Sequence, residues 1–373
     1  MAGERLAKAL PGYRRRYSGA DRKERSKVLD EFCEATGYHR KYAIALLKVA
    51  ADEPVVKERK RRGPTYSAKS VRVLEQIWKA ADYPWSERLK AMLPLWLPWA
   101  RQRIHGCTTE VEAQLLRMSA RQMDRRLAEK KRTLKRRIYG GTKPGTLLKH
   151  QIPVRTDNWD VTSPGYCEID LVSHSGPSAS GEFIYSLNLT DIRTEWDETR
   201  AIMGKGEAGV VEALDGIRRA LPFRLLAIDS DNGSEFINHH LVRYCKKHRI
   251  QFTRGRPYKK NDNAHIEQKN WTHVRRIFGW DRYDTPEQLD AMNTLYKNEL
   301  RQMMNFYQPS VKLQSKTRTG SRVTKHYDDA QTPLDRLIAA AGTNPATEKL
   351  LKQRERLDPF LLSERIESKL AQL

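Results

Sequence analysis

Three acidic residues are spaced for metal-assisted chemistry at phosphorus. Asp170 lies in the middle of an alternating apolar stretch, residues 167–172. Asp231 follows a short apolar run and is itself followed by Asn232, Gly233, Ser234, Glu235 and Phe236. Glu267 falls in a helix-like stretch, residues 262–278. Converging carboxylates repel one another unless cations neutralise them. Hard divalent cations want oxygen ligands, and Mg²⁺ typically combines a few carboxylates with substrate phosphate oxygens. Two such ions about 3.5–4 Å apart clamp the attacking and leaving oxygens of an in-line displacement. Asn or Ala at these places forfeits the charge that holds the metal. Glu168 and Asp229 stand two residues before Asp170 and Asp231, so on extended strands each can share its neighbour's face.

The elements that must position these groups read as a mixed α/β domain. Residues 167–172, 183–189 and 194–202 alternate as strands and, with tight connections, form an antiparallel meander. Tyr185, Leu187 and Leu189 lie on one side of the second strand. Residues 207–219 carry Val210, Val211, Leu214 and Ile217 on one helical stripe. A fourth strand at 225–228, a helix at 236–248, a short fifth strand at 251–253 and the 262–278 helix complete the order β-β-β-α-β-α-β-α. If the first and fourth strands are neighbours, Asp170 and Asp231 face each other and the last helix brings in Glu267. Lys269, two residues on, points elsewhere, and Trp271 reads as core rather than as a platform for a base.

Asp170, Asp231 before Asn-Gly, and Glu267 with 35 residues between it and Asp231 form a D,D-35-E pattern. Over residues 155–300 the chain resembles the catalytic cores of retroviral integrases and bacterial insertion-sequence transposases. The resemblance implies an RNase H-like fold, dependence on Mg²⁺ or Mn²⁺ with two ions, and polynucleotidyl transfer by Asp170, Asp231 and Glu267. It also favours Asp231 over Asp229 as the second ligand. The segment 254–261 then borders the active site, where Arg254, Arg256, Tyr258, Lys259 and Lys260 suit phosphates and stacking. The N-terminal half departs from retroviral integrases: it has no His/Cys zinc module and offers helical units instead, which fits the insertion-sequence branch.

Charge divides the chain the same way. The net charge is +23, and residues 1–150 hold 36 Lys and Arg against 16 Asp and Glu, net +20. Residues 151–373 hold 33 against 30, net +3. Nucleic acid is the natural partner of the basic half, because neutralised phosphates release counterions. There, Asp21 caps a helix that Thr36-Gly37 ends, and a second helix begins near His39. Helix, Gly-containing turn, helix is a helix-turn-helix pattern. Tyr38, His39, Arg40 and Lys41 take the place where recognition helices meet DNA. The basic breaker 57–64 links to a second helical unit, with helices near 67–78, 88–93 and 109–129, and 130–149 reads as a basic linker.

The expected organisation is an α/β protein with an RNase H-like catalytic core, a mixed five-stranded sheet with helices, preceded by all-α helix-turn-helix DNA-binding units. Its divisions are 1–62 (helix-turn-helix), 63–150 (second helical unit and linker), 151–305 (core) and 306–373 (basic arm at 312–326, then amphipathic helices). The longest apolar run, 91–100, contains Pro94 and Pro98 and is far short of the ~20 residues of a membrane helix. The four cysteines are scattered and suit neither zinc nor disulfides. Together these features lead to a cytoplasmic, nucleoid-associated DDE transposase acting on double-stranded DNA (element terminal repeats and target) as a homo-oligomer, with no membrane partner. The alternatives are a non-catalytic DNA-binding regulator derived from a transposase, or an RNase H-like nuclease that cuts without joining.

Overall fold

The structure, a computed structural model, describes residues 2–48, 66–133, 161–230, 236, 238–254, 264–319 and 321–373. Two compact units, Met1–Thr65 and Tyr66–Leu373, divide the chain.

Among its described residues the first unit has three helices: α1 (Ala2–Gly19), α2 (Arg22–Thr36) and α3 (Arg40–Leu47). The Asp21 carboxylate accepts the Lys23 and Glu24 N–H groups at 2.8 Å each, satisfying donors that a helix start leaves open. Gly37 ends α2 at φ 72°, a conformation that costs glycine nothing. Leu29, Phe32, Ala43 and Leu47 form the core, with Tyr13 and Tyr17 of α1 packed against them. The helix pair read from sequence is therefore part of a trio. Helix α1 escaped notice because it is strongly polar and carries Pro11.

The second unit begins with α4 (Ala68–Ala80), α5 (Ser86–Arg103), α6 (Thr109–Arg117) and α7 (Ala120–Thr133). Helix α5 runs through Pro94 and Pro98, well past the short helix expected at 88–93. Each proline costs a backbone hydrogen bond, but Leu89, Met92, Leu93, Trp96, Leu97 and Ala100 are buried along the helix and offset the loss. Extended backbone at Met118 splits the 109–129 stretch into two helices.

The sheet follows: β1 (Tyr166–Ser173), β2 (Ile184–Asp191), β3 (Asp197–Met203), helix α8 (Glu207–Ala220), β4 (Ala227–Ser230), helix α9 (His239–His248) and β5 (Gln251–Arg254). Its order is β3-β2-β1-β4-β5. The first three strands are antiparallel, and β4 and β5 join parallel to β1. This is the expected mixed five-stranded sheet, with β1 and β4 adjacent. Strand β3 starts at Asp197, because residues 194–196 turn through Glu195 at φ 62°.

One continuous helix crosses the sheet as α10 (Ala264–Lys269), a π-helical stretch (Asn270–Arg275) and α11 (Arg276–Phe278). After it come α12 (Pro286–Leu295), two further π-helical stretches (Tyr296–Leu300 and Met303–Tyr307), the hairpin β6 (Leu313–Thr319) and β7 (Arg322–Tyr327), then α13 (Pro333–Ala341), α14 (Pro345–Arg356) and α15 (Pro359–Leu370). The hairpin gives the basic arm a β structure. The largest apolar cluster joins α4–α7 to Trp196, Phe306, Tyr307, Leu337 and Phe360, so helices from both sides of the sheet in sequence share one core. No helix among the described residues is long and apolar enough to cross a membrane.

Candidate active site

The two faces of the sheet differ in chemistry. One presents Cys167, Ile169, Leu187, Leu189 and Ile228 to Val210 and Leu214 of α8 and Leu241 of α9. The period of two places Glu168 and Asp170, Asn188 and Thr190, and Asp197 and Thr199 on the other. Register lines them up in rows. Asp197, Thr190, Glu168, Asp229 and Thr253 form one row, and Thr199, Asn188 and Asp170 the next. All but Asp170 are buried, and Asp170 is half-buried. Helix α10 packs over β1 and β2 on this side.

The β1–β4 register ends at Ile169↔Ser230, one residue before Asp170 on one strand and before Asp231 on the other. Asp231 itself lies outside the described residues. The Asp170 carboxylate accepts the Leu171 N–H at 2.8 Å and the Asn270 Nδ2 amide at 2.6 Å. The Asn270 Oδ1 in turn accepts from Asn188 at 3.0 Å, and the Asn188 Oδ1 accepts from Thr199 at 3.1 Å. Glu168 uses its Oε2 to accept the Ile266 N–H at 3.0 Å. Two side chains thus tie the Glu267 helix to β1, one before Glu267 and one after it. Glu267 is exposed. The π-helical stretch opens at Asn270, three residues past Glu267, and such local widening recurs at functional sites.

Charge is buried beside this network. Lys269 is 3% exposed, with its ammonium 3.5 Å from Glu195. Burial pulls its pKa below the ordinary lysine value, while Glu195 and Asp197 oppose the shift. Burial pushes Asp197 up to about 7, against the pull of Lys269 and the Thr190 hydroxyl. Asp229 accepts the Thr253 hydroxyl at 2.5 Å. Asp191 organises the β2–β3 turn, accepting the Gly165 N–H and the Thr194 N–H and hydroxyl at 2.7 Å each.

Among the described residues no three His, Cys, Asp or Glu side chains gather as a metal site. The donors still suit a hard cation: Asp170 and Glu267 offer carboxylate oxygens from elements tied together, and the Asp231 position follows the neighbouring strand.

The other residues singled out in sequence fall as follows. His39 caps α3, with its Nδ1 accepting the Lys41 N–H at 3.3 Å. Tyr38 packs edge-on against Tyr42 and near Phe32. Arg40 pairs with Asp30 and donates to the Ser26 hydroxyl at 2.8 Å. Lys41 is exposed. Arg254 is the last residue of β5, opposite Ser230 and buried, rather than a loop residue. Arg256, Tyr258, Lys259 and Lys260 lie outside the described residues. Trp271 corrects its core assignment: it is 47% exposed, because the π-helical turn and the packed sides of the helix leave its position facing outward. Asn270 was missed. Its spacing from Glu267, three residues on a helix, was the available signal.

No family model matches the chain. The uncharacterized protein y4rM of Sinorhizobium fredii (strain NBRC 101917 / NGR234) is 39% identical over 328 residues, 86% of this chain and 91% of that protein. Among solved structures, the HTLV-2 integrase catalytic core domain in complex with magnesium aligns with 40% of this chain and 91% of its own, at 13% identity and a TM-score of 0.30. The catalytic core domain of BIV integrase aligns with 48% of this chain and 95% of its own, at 14% identity and a TM-score of 0.30.

Proposed function

The chain belongs to the same family as the y4rM protein, and for it we propose the function of a DDE-type transposase. Asp170, Asp231 and Glu267 hold Mg²⁺ or Mn²⁺, as two ions, at the end of a mobile DNA element. The reaction is hydrolysis at the element end followed by attack of the freed 3′-hydroxyl on a target phosphodiester. Bound metal supplies charge neutralisation at the phosphate and a nucleophile at neutral pH. The side chains supply the placement: Asp170 is held by Asn270, and the Glu267 helix is held by Glu168. In-line displacement depends chiefly on such positioning.

The observation that carries the reading is the adjacency of β1 and β4 at Ile169↔Ser230. It supports the reading because Ile169 and Ser230, the residues that precede Asp170 and Asp231 in sequence, pair on neighbouring strands, and β1 also carries the bonds to the helix of Glu267. The three-helix N-terminal unit is the candidate reader of the terminal repeats through Tyr38, His39, Arg40 and Lys41, and the 254–260 segment the candidate clamp on strand ends. Double-stranded DNA, a homo-oligomeric synapse and a cytoplasmic, nucleoid-associated location belong to this reading.

Strand-transfer assays with Asp170→Asn, Asp231→Asn and Glu267→Gln test it. Each variant loses joining and end cleavage while still binding DNA. Activity surviving any of them in Mg²⁺ removes that residue from the triad. A pre-cut 3′-hydroxyl end separates the rivals: a transposase inserts it, whereas a nuclease or a regulator does not.

A further inference from the structure

The Glu267 helix has a second face, turned away from Asp170. Lys269, Thr272, His273 and Arg276 recur there at helical spacing and line a cavity of about 300 Å³. The turn between α4 and α5 closes one side with Tyr83, Pro84 and Arg88. Ser310 borders it, and Leu300, Met303 and Ile366 make apolar walls.

The cations around this space are not all paired, and the exposed Glu367 also lines it. Lys269 meets Glu195 at 3.5 Å, Arg276 meets Asp82 at 2.7 Å, and Lys79 meets Glu75 at 2.9 Å. Arg88 has no ion pair among the described residues, and its Nε is buried without a hydrogen-bond partner there. Its nearest aromatic contact is the Trp85 ring, 6.0 Å from the guanidinium. Burial lowers the Arg88 pKa, helped by the Arg276 charge and opposed by that of Glu195. The Ser310 hydroxyl, 3% exposed as a residue, is the second buried polar group on the wall without a partner. Beside them His273 is held neutral, far below the ordinary histidine value, by burial and by the Lys269 and Arg88 charges. A guanidinium Nε and a hydroxyl buried without hydrogen-bond partners are both costly. The space they share has the usual make-up of a small-molecule site, apolar walls with a few convergent polar groups.

We propose that this cavity is a binding site for a small carboxylate with an apolar, aromatic-sized body, whose anionic end pairs with Arg88 and accepts from the Ser310 hydroxyl. The apolar body lies against Leu300, Met303 and Ile366. The carboxylate supplies the missing partner for the guanidinium, so affinity depends on the charge and not on the ring alone. The site stands behind the helix whose opposite face holds Asp170, and its occupancy is measured without DNA, metal or activity. Its success or failure is therefore independent of the proposed function.

The test is calorimetric titration of the full chain with 2-naphthoate and with the isosteric neutral 2-naphthamide. The expected result is saturable binding of one naphthoate, at least about tenfold tighter than the amide. Arg88→Met removes that advantage while leaving the amide affinity unchanged, and Ser310→Ala weakens naphthoate a few-fold. Equal affinity for the two probes, no saturable binding of naphthoate, or full naphthoate affinity in a folded Arg88→Met chain overturns the site. Should Arg88→Met not fold, the acid–amide comparison in the unaltered chain decides alone.

Discussion

Asn270 donates a 2.6 Å hydrogen bond to the Asp170 carboxylate from the same helix that carries Glu267. A strand residue and a helix residue 100 positions apart are thereby fixed to one another. The helix cannot slide along β1 without breaking this bond or the one between Glu168 and the Ile266 N–H.

Asn270→Ala is expected to lower strand transfer about 10–100-fold at limiting Mg²⁺, the usual cost of losing a group that orients a metal ligand. Raising Mg²⁺ recovers part of the loss. Asn270→Asp is worse, since it sets a second negative charge against Asp170. A Mg²⁺ titration of joining reads the effect, and an unshifted midpoint in Asn270→Ala removes the residue from the site.

Glu168→Ala leaves the Ile266 N–H without its buried acceptor and costs about 1–3 kcal/mol of stability. Glu168→Gln keeps an acceptor and costs less. Thermal denaturation ranks the three proteins; equal midpoints mean that the bond does not hold the helix.

Asp197 gives the fold a pH signature. Its carboxyl is pushed up to about 7 in the folded chain, against 3.8 for an ordinary aspartate. The folded state therefore binds a proton more tightly than the unfolded state. The stability this supplies is whole below about pH 4 and is lost as pH rises through about 7. Asp197→Asn cannot ionise. The difference in melting temperature should move in favour of Asp197→Asn between pH 5 and pH 8, and parallel curves over that range contradict a buried titrating carboxyl.

Lys41 is exposed in the first turn of α3. Lys41→Ala should weaken binding to all duplex sequences alike and reduce the slope of log affinity against log salt by about 1. Binding isotherms at several salt concentrations decide it; an unchanged slope takes Lys41 off the phosphate path.

Much of the sheet could be read from the chain, because its strands alternate and its turns carry the usual breakers. Asp170 in mid-strand and the β-β-β-α-β-α-β order follow from period alone. The polar face was harder to see. Asn188, Thr190, Asp197 and Thr199 look like solvent-facing positions, and only the helix packed over them buries them. Lys269 shows the same limit: its charge marks it for the surface, yet Glu195 and Asp197 wait for it inside. The long α5 was hidden by Pro94 and Pro98, whose local cost is overridden by tertiary burial. The π-helical turn at Asn270 leaves no periodic trace over so few residues, and with it went the exposure of Trp271.

The shared apolar cluster sets an order on how this protein comes into being. Trp96 rests against Tyr307 and Phe360, at ring-centroid distances of 6.3 and 4.9 Å. At about 5–20 residues per second, the ribosome delivers Tyr307 roughly 10–40 seconds after Trp96. For that time α4 to α7 stand on the nascent chain with Trp96 still lacking Tyr307 and Phe360. A product of premature termination before α15 keeps every candidate catalytic acid yet lacks Phe360 and Leu362 of this core. The helices before the sheet and those after it thus complete one core only together.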